Sequence, residues 1–417
     1  MESLHKEIGT AKDNRTSPVH DWYRFTAGFS YKLVEKIIEE ETLGAADRIY
    51  ESFAGCGTTL VSAQKKGISA IGHEGQELLF DVINAKLNWE VEANHVSDVI
   101  THIKSRLIGQ AERLPYHELL KTLYSAGDLY ELYVIKDYLE NEVTNENTYL
   151  FLKLALTQTL HKVSIHPIAV PYISRSKTLS STLSAAEMFE KTVNKMIDDL
   201  KGIENKQRTS EIFLHDSRLL NAAIPDNHCT ICITSPPYLN NLDYGEVSKV
   251  CSHFYGITDS WNDVTEKVRK KLVTGATTHY KKSDFSLDEW KKGIFYENNK
   301  VVLDGIMPNI LAIGEESKKR KGKKSFDILS LYYFEDMYKV LLEMRRILRP
   351  GSKAYLVLGD SAPYGVYLDT IAILGQIACR LGFNNYRIVP IRVRGTKWMS
   401  LKYRHNLQLS ESILIIE

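Results

Sequence analysis

Long apolar runs are missing from this 417-residue chain: none reaches the roughly 18 residues that a membrane-spanning helix needs. The opening Met1-Glu2-Ser3-Leu4-His5-Lys6 has no apolar core of the kind a secretory signal carries. Cysteine is scarce, five scattered residues, so reduced thiols in a cytoplasmic protein are expected rather than a disulfide framework. Cys229 and Cys232 have a C-x-x-C spacing, but no second pair follows and both fall in an apolar run. They read as core residues, with no metal required. Net charge is nearly absent at +1, which excludes a uniformly basic chain. The balance is uneven, however: residues 265–325 hold fifteen Lys/Arg against eight Asp/Glu. Such a local excess is either a footprint for phosphates or a solvated insertion.

What is present is organised around Thr234-Ser235-Pro236-Pro237-Tyr238. The run Cys229–Ile233 before it is short, apolar and β-branched, and reads as a buried strand that the two prolines must end. In open α/β sheets, ligands bind at the carboxyl ends of strands. A hydroxyl, a rigid diproline and an aromatic ring at such an end suit the exocyclic amine of a nucleobase. That nitrogen's lone pair is delocalised into the ring, so acceptors aimed at its N–H groups must draw it towards tetrahedral geometry. The Ser235 hydroxyl and the Pro236 carbonyl are two such acceptors, and proline fixes φ while supplying no competing N–H. Tyr238 offers a face on which an unstacked base can rest. The bland alternative is a proline-terminated strand leading into an ordinary loop.

Three other strand ends carry polar chemistry. Ile49-Tyr50-Glu51-Ser52-Phe53-Ala54-Gly55-Cys56-Gly57-Thr58-Thr59-Leu60 reads as strand, glycine turn and helix. Gly55 and Gly57 let the backbone approach a ligand closely, and Thr58 or Thr59 can satisfy free N–H groups at the helix start. A dinucleotide fingerprint would need a third glycine where Leu60 stands. Ile68–Glu74 forms the next strand, and Glu74 at its end is placed to grip a ribose diol; Glu77 falls inside the helix that follows. Ile212-Phe213-Leu214-His215-Asp216-Ser217 again ends a short strand in an acid. Upstream, the aromatic loop His20–Ser30, with Phe25, feeds an amphipathic helix bearing Leu33, Val34, Ile37 and Ile38, which Ser30 is placed to cap.

Elsewhere the pattern is helical from about residue 95 to 205, interrupted by the proline-broken loop Ser164–Lys177. After Tyr238, the polar turn Leu239–Gly245 includes Tyr244. The basic region closes with Lys318-Lys319-Arg320-Lys321-Gly322-Lys323-Lys324, read as a flexible loop that adds salt-dependent affinity for phosphates. A helix over 331–349 stops at Pro350-Gly351, and a strand runs from Ala354 to Gly359. A helix from Ile371 to Leu381 and two strands, Arg387–Val393 and Ser412–Ile416, end the chain. Between those strands lie Arg394, Lys397, Trp398 and Arg404, with aromatic and basic side chains interleaved as suits an unstacked nucleotide. A surface hairpin loop is the plain alternative.

Taken in order, these motifs resemble those of the DNA amino-methyltransferases. Phe53-Ala54-Gly55-Cys56-Gly57-Thr58 is similar to their motif for S-adenosyl-L-methionine, Asp216-Ser217 to the site of the adenine amino group, and Phe25 to Ser30 to the segment near the methionine part. Ser235-Pro236-Pro237-Tyr238 is similar to their catalytic motif, in the form typical of the cytosine-N4 branch. The resemblance implies an α/β fold, a Rossmann-like seven-stranded class I methyltransferase sheet with a helical insertion and a basic insertion. It implies transfer of a methyl group to cytosine N4 in double-stranded DNA by a prokaryotic, nucleoid-associated enzyme, with a cognate restriction endonuclease as a possible partner. Adenine-N6 methylation, an RNA amino-methyltransferase and a silent nucleic-acid-binding subunit are the alternatives. The expected organisation is a flexible N-terminus (1–19), a cofactor-binding half (20–94), the helical insertion (95–208), a catalytic part (209–254), the basic insertion (255–330) and the rest of the sheet (331–417).

Overall fold

The computed structural model describes residues 10–108, 116–168, 172–240, 242–320, 324–394 and 407–417. Its frame is one seven-stranded sheet in the order β3-β2-β1-β4-β5-β7-β6. The strands are β1 (Arg48–Glu51), β2 (Ser69–Glu74), β3 (Ser210–Leu214), β4 (Cys229–Thr234), β5 (Leu348–Gly359), β6 (Tyr386–Arg394) and β7 (Leu409–Ile416). Strands β1 to β5 run parallel, and β7 lies antiparallel to both β5 and β6. This mixed sheet is compatible with a class I methyltransferase fold. Because β1 to β5 are parallel, the glycine turn, Glu74, Asp216 and Ser235 all emerge on one rim.

Both faces of the sheet are covered, and the alternation of side chains shows it. Tyr355, Val357, Ile413 and Ile415 pack on one face, while Ala354, Leu356, Leu358, Leu414 and Ile416 pack on the other. The first face carries the helices Tyr31–Glu40, Thr58–Lys65 and Glu77–Leu87. The second carries Ile294–Lys318, Phe326–Ile347 and Thr370–Arg380. Cys229 and Cys232 are buried in this second core, and burial pushes the Cys229 thiol up to about 12.

The segment 95–208, expected as a helical insertion, is built chiefly from the helices Ala93–Leu107, Ala126–Glu142, Glu146–Val163 and Ala185–Lys201. It shares the first core with the sheet rather than forming a separate one: Val96, Leu129, Phe151 and Phe189 join the cluster that holds Ile49 and Leu60. Residues 10–19, expected to be mobile, are packed instead. Asn14 donates to the Phe29 carbonyl at 3.0 Å, Val19 is fully buried, and Ser30 both caps its helix and donates to Asp13 at 2.7 Å. The start of the Lys318–Lys324 run is also not a loop. Lys318 ends the 25-residue helix Ile294–Lys318, and Lys318 and Lys319 pair with Glu315 and Glu316 at 2.6 Å each.

Candidate active site

The cleft on the shared rim is lined by Phe53, Ala54, Gly55, Cys56 and Thr58 from the glycine turn, by Glu74, by Asp216 and Ser217, and by Ser235. Phe25 of the aromatic loop closes one side. Gly55 and Gly57 adopt left-handed φ values of 58° and 83°, and a Cβ on Gly55 would come within 3.0 Å of the Phe25 ring. The turn therefore needs glycine for both conformation and space. A buried lysine, Lys86, ties the aromatic loop to the turn by donating to the carbonyls of His20 and Cys56, both at 3.1 Å.

Two buried carboxyls flank the turn. Glu74 accepts the Gly55 N–H through Oε2 and the Gln76 N–H through Oε1, each at 2.9 Å. Burial still dominates and pushes it up to about 7. Glu51 accepts the Phe53 N–H at 2.9 Å and the Thr59 hydroxyl at 2.7 Å, and burial pushes it up to about 8. Thr59 thus serves Glu51 rather than the helix start, and no side chain caps the helix Thr58–Lys65. Its first N–H groups stay available to a polar ligand.

Asp216 is committed more heavily than expected. Arg218 donates to it through Nε at 2.9 Å and Nη2 at 2.6 Å, and also reaches Asp336 at 3.1 Å and the Lys270 carbonyl at 2.5 Å. The Ser217 hydroxyl donates to the Ser52 carbonyl. Both residues border the cleft, but their polar groups chiefly hold the rim together. Ser30 and Gly57 lie behind it, as cap and as turn. Tyr244, expected at the nucleic acid, borders the same cleft as Ser235.

Sequence reasoning missed the wall opposite the sheet, which is Lys271-Leu272-Val273 of the basic insertion. This segment passes so close to Gly75 that a Cβ there would sit 2.8 Å from the Lys271 carbonyl oxygen. It is latched by Arg218 on the Lys270 carbonyl and by Thr274, whose N–H and hydroxyl donate to Asp336 at 2.9 and 2.7 Å. A glycine directly after a strand-end acid was the one local signal of a close approach.

At the Ser-Pro-Pro-Tyr motif, the Ser235 hydroxyl donates to the Val357 carbonyl at 3.2 Å. Its single proton is thereby used, and its lone pairs remain to accept from a ligand. Tyr333 donates to the Pro237 carbonyl at 2.9 Å and steadies the diproline. The Tyr238 hydroxyl donates to Glu411 at 2.6 Å, and its ring carries the Arg394 guanidinium at 4.8 Å. Of the other nucleic-acid candidates, Arg320 lies over the Tyr364 ring at 5.0 Å. Lys318 and Lys319 are exposed and paired. Lys397, Trp398 and Arg404 lie outside the described residues, as do 1–9 and 321–323. No described helix is long and apolar enough to cross a membrane.

No family model matches the chain. Over its whole length it is 22% identical to the Type II methyltransferase M.BsoBI of Geobacillus stearothermophilus, of which 89% is covered. Over 94% of the chain it is 23% identical to the Type II methyltransferase M.AvaI of Nostoc sp. (strain PCC 7120), with 84% of that protein covered. M.AvaI of Anabaena variabilis gives the same figures. The match to M.BsoBI spans the whole chain, residues 95–208 and 255–330 included, for which the sequence alone offered no parallel.

Proposed function

We propose that this chain is a site-specific DNA methyltransferase that uses S-adenosyl-L-methionine and modifies the exocyclic N4 amine of cytosine within a restriction–modification system. The observation that carries the reading is the junction of the Ser235 hydroxyl with the glycine turn, Glu74 and Asp216 in a single cleft. The end-to-end similarity to two proteins named Type II methyltransferases supports the class of reaction.

The residues present fit S-adenosyl-L-methionine. The left-handed turn at Gly55 lets the backbone pack against the Phe25 ring at the edge of the cleft, Glu74 offers a carboxyl to a ribose diol, and Phe25 and Leu79 supply apolar walls. Bound there, the cofactor supplies a methyl group on a positively charged sulfur. The protein's own contribution is to position the amine. The Ser235 lone pairs accept one N–H and the Pro236 carbonyl the other, which turns the nitrogen lone pair out of the base plane. Catalysis then rests on placement and fixed dipoles. No covalent intermediate with the enzyme is formed, so none of the five cysteines is required.

The deciding experiment incubates the purified chain with unmethylated genomic DNA and labelled S-adenosyl-L-methionine, then identifies the modified nucleoside. N4-methylcytosine is expected. N6-methyladenine would overturn the choice of base, and label found only in RNA would overturn the choice of nucleic acid.

A further inference from the structure

Across the aromatic loop from the Ser235 cleft lies a second cavity, of about 550 Å³. Its walls come from the N-terminal segment between Thr10 and Gly28, from the helices Glu146–Val163 and Ala185–Lys201, and from Arg392 of β6. Phe25, Gly28 and Cys56 border both spaces, so the loop is the partition between them. The lining is strongly one-signed. Lys12, Arg15, Arg24, Lys162, Lys195 and Arg392 face a single carboxylate, Asp21.

Two of these cations are already matched. Lys195 pairs with Asp21 and Asp199 at 2.7 and 2.6 Å, and Arg392 pairs with Glu411. Lys162 has only a neutral partner, the Thr192 hydroxyl at 3.0 Å. Arg24 has no carboxylate at hand among the described residues: the charged group that bears on it is the Arg15 guanidinium. Partial burial, and then that like charge, push Arg24 down from the ordinary arginine value. Cations around a cavity with no free acid between them repel one another, and an anion held among them reverses the sign of that interaction. Two polar atoms of the lining residues, His20 Nε2 and Asp21 Oδ1, are also buried without a hydrogen-bond partner. The wall thus carries more polar capacity than the protein itself satisfies.

We propose that this cavity is a second ligand site, separate from the Ser235 cleft, and that it takes a phosphate carried on a nucleotide. Arg15 and Arg24 form the grip, because a guanidinium presents paired donors that match phosphate oxygens. Lys162 adds a point charge. The volume exceeds what a bare phosphate needs and falls in the range of small-molecule sites, so the group arrives on a larger carrier. That carrier is either a free nucleotide or one nucleotide of a strand, and both present the same phosphate. The site goes beyond methyl transfer and does not depend on it.

The test titrates the full chain, saturated with S-adenosylhomocysteine, with thymidine 5′-monophosphate and separately with a short DNA duplex. Thymine has no exocyclic amine to place at Ser235, and thymidine itself is the control for the phosphate. The unaltered chain is expected to bind at least one probe, and R15A/R24A to bind it at least about tenfold more weakly with S-adenosylhomocysteine affinity retained. Both side chains are exposed, so the fold does not rest on them. R24K keeps the charge, loses the fork and is expected to fall in between. Duplex affinity lost in the double variant, with a log–log salt slope shallower by about two, assigns the phosphate to a strand. A loss confined to the mononucleotide assigns it to a free ligand. The proposal is overturned if the unaltered chain binds neither probe, if R15A/R24A binds as tightly, or if thymidine binds as well as its monophosphate. Probe bound only when S-adenosylhomocysteine is left out also overturns it, since the probe then sits in the Ser235 cleft. Methyl transfer to genomic DNA is followed in parallel. Its absence would sink the methyltransferase reading and leave the phosphate site to be judged on binding alone.

Discussion

Arg269, whose side chain has no solvent exposure, donates its Nε to both carboxylate oxygens of Asp243, at 2.9 and 3.1 Å. Asp243 in turn caps the helix Tyr244–Phe254 that follows the Ser-Pro-Pro-Tyr motif, and Trp261 covers the guanidinium at 4.2 Å. A basic residue of the 255–330 segment therefore anchors the loop after Tyr238 from within the fold. R269M leaves a buried carboxylate without its partner and is expected to cost about 3–5 kcal/mol. Urea unfolding measures this. The double variant R269M/D243L should recover much of the loss, because an apolar pair leaves no charge stranded.

Ser235 makes no contact on which folding depends heavily, since its one donated bond is long. S235A is expected to bind S-adenosylhomocysteine normally and to lower kcat by about 10²–10³-fold, the usual effect of removing one aligned polar group from a reacting centre. Single-turnover transfer with binding measured separately decides the matter. A loss confined to cofactor affinity would move Ser235 out of the catalytic role.

Gly55 combines a φ of 58° with the Phe25 ring 3.0 Å from its missing Cβ. G55A must bear left-handed strain of about 1–2 kcal/mol and must also push the ring into the cleft. Cofactor affinity is expected to fall at least about tenfold, since about 1.4 kcal/mol is a factor of ten. Calorimetric titration with S-adenosylhomocysteine provides the check.

Burial raises both Glu51 and Glu74, so both cost stability as pH rises, whereas cofactor binding at Glu74 responds with the opposite sign. In the unfolded chain both ionise near 4.5, whereas in the folded protein Glu51 holds its proton to about 8. Between those values the folded state binds a proton that the unfolded state has released. This contribution to stability is therefore intact below pH 4.5 and lost as pH rises through about 8. The urea midpoint should fall from pH 6 to 9, and E51Q should flatten that fall. Cofactor binding runs the other way. A ribose diol donates hydrogen bonds, so it prefers ionised Glu74, and affinity should rise with pH up to about 7 and then level off. E74Q should abolish that rise.

The sheet side of the cleft is legible in the sequence because each apolar run there stops abruptly at a glycine turn, an acid or a diproline. Gly55, Glu74, Asp216 and Ser235 reach the cleft for that reason. Thr59 misleads because it stands where a cap belongs, yet leaving a buried Glu51 unpaired costs more than leaving a helix start uncapped. Lys318 and Lys319 read as loop when taken alone, although Glu315 and Glu316 at helical spacing indicated that the helix continues. The wall of Lys271 to Val273 has no signature in its own residues, and only Gly75 on the facing side hints at a close approach. Its place over Gly75 is set by Arg218 and Asp336, which are distant in sequence, and only the tertiary fold brings them together.

The arrangement of β1 and β4 also governs how the molecule comes into being. Ile49 pairs with Ile231 in the sheet, so the glycine turn and the Ser-Pro-Pro-Tyr motif are neighbours separated by almost half the chain. At translation rates of about 5–20 residues per second, β1 waits roughly 10–40 s for its central partner to be synthesised. During that interval one edge of the nascent β1–β2 pair has unmet N–H and C=O groups, a template for wrong pairing. The helices between Ala93 and Lys201 are made in that same interval, and in the finished fold they share the core that holds Ile49 of β1 and Ala70 of β2. Removing these helices would uncover that core, so a deletion variant is expected to aggregate, which sedimentation of the expressed protein would check.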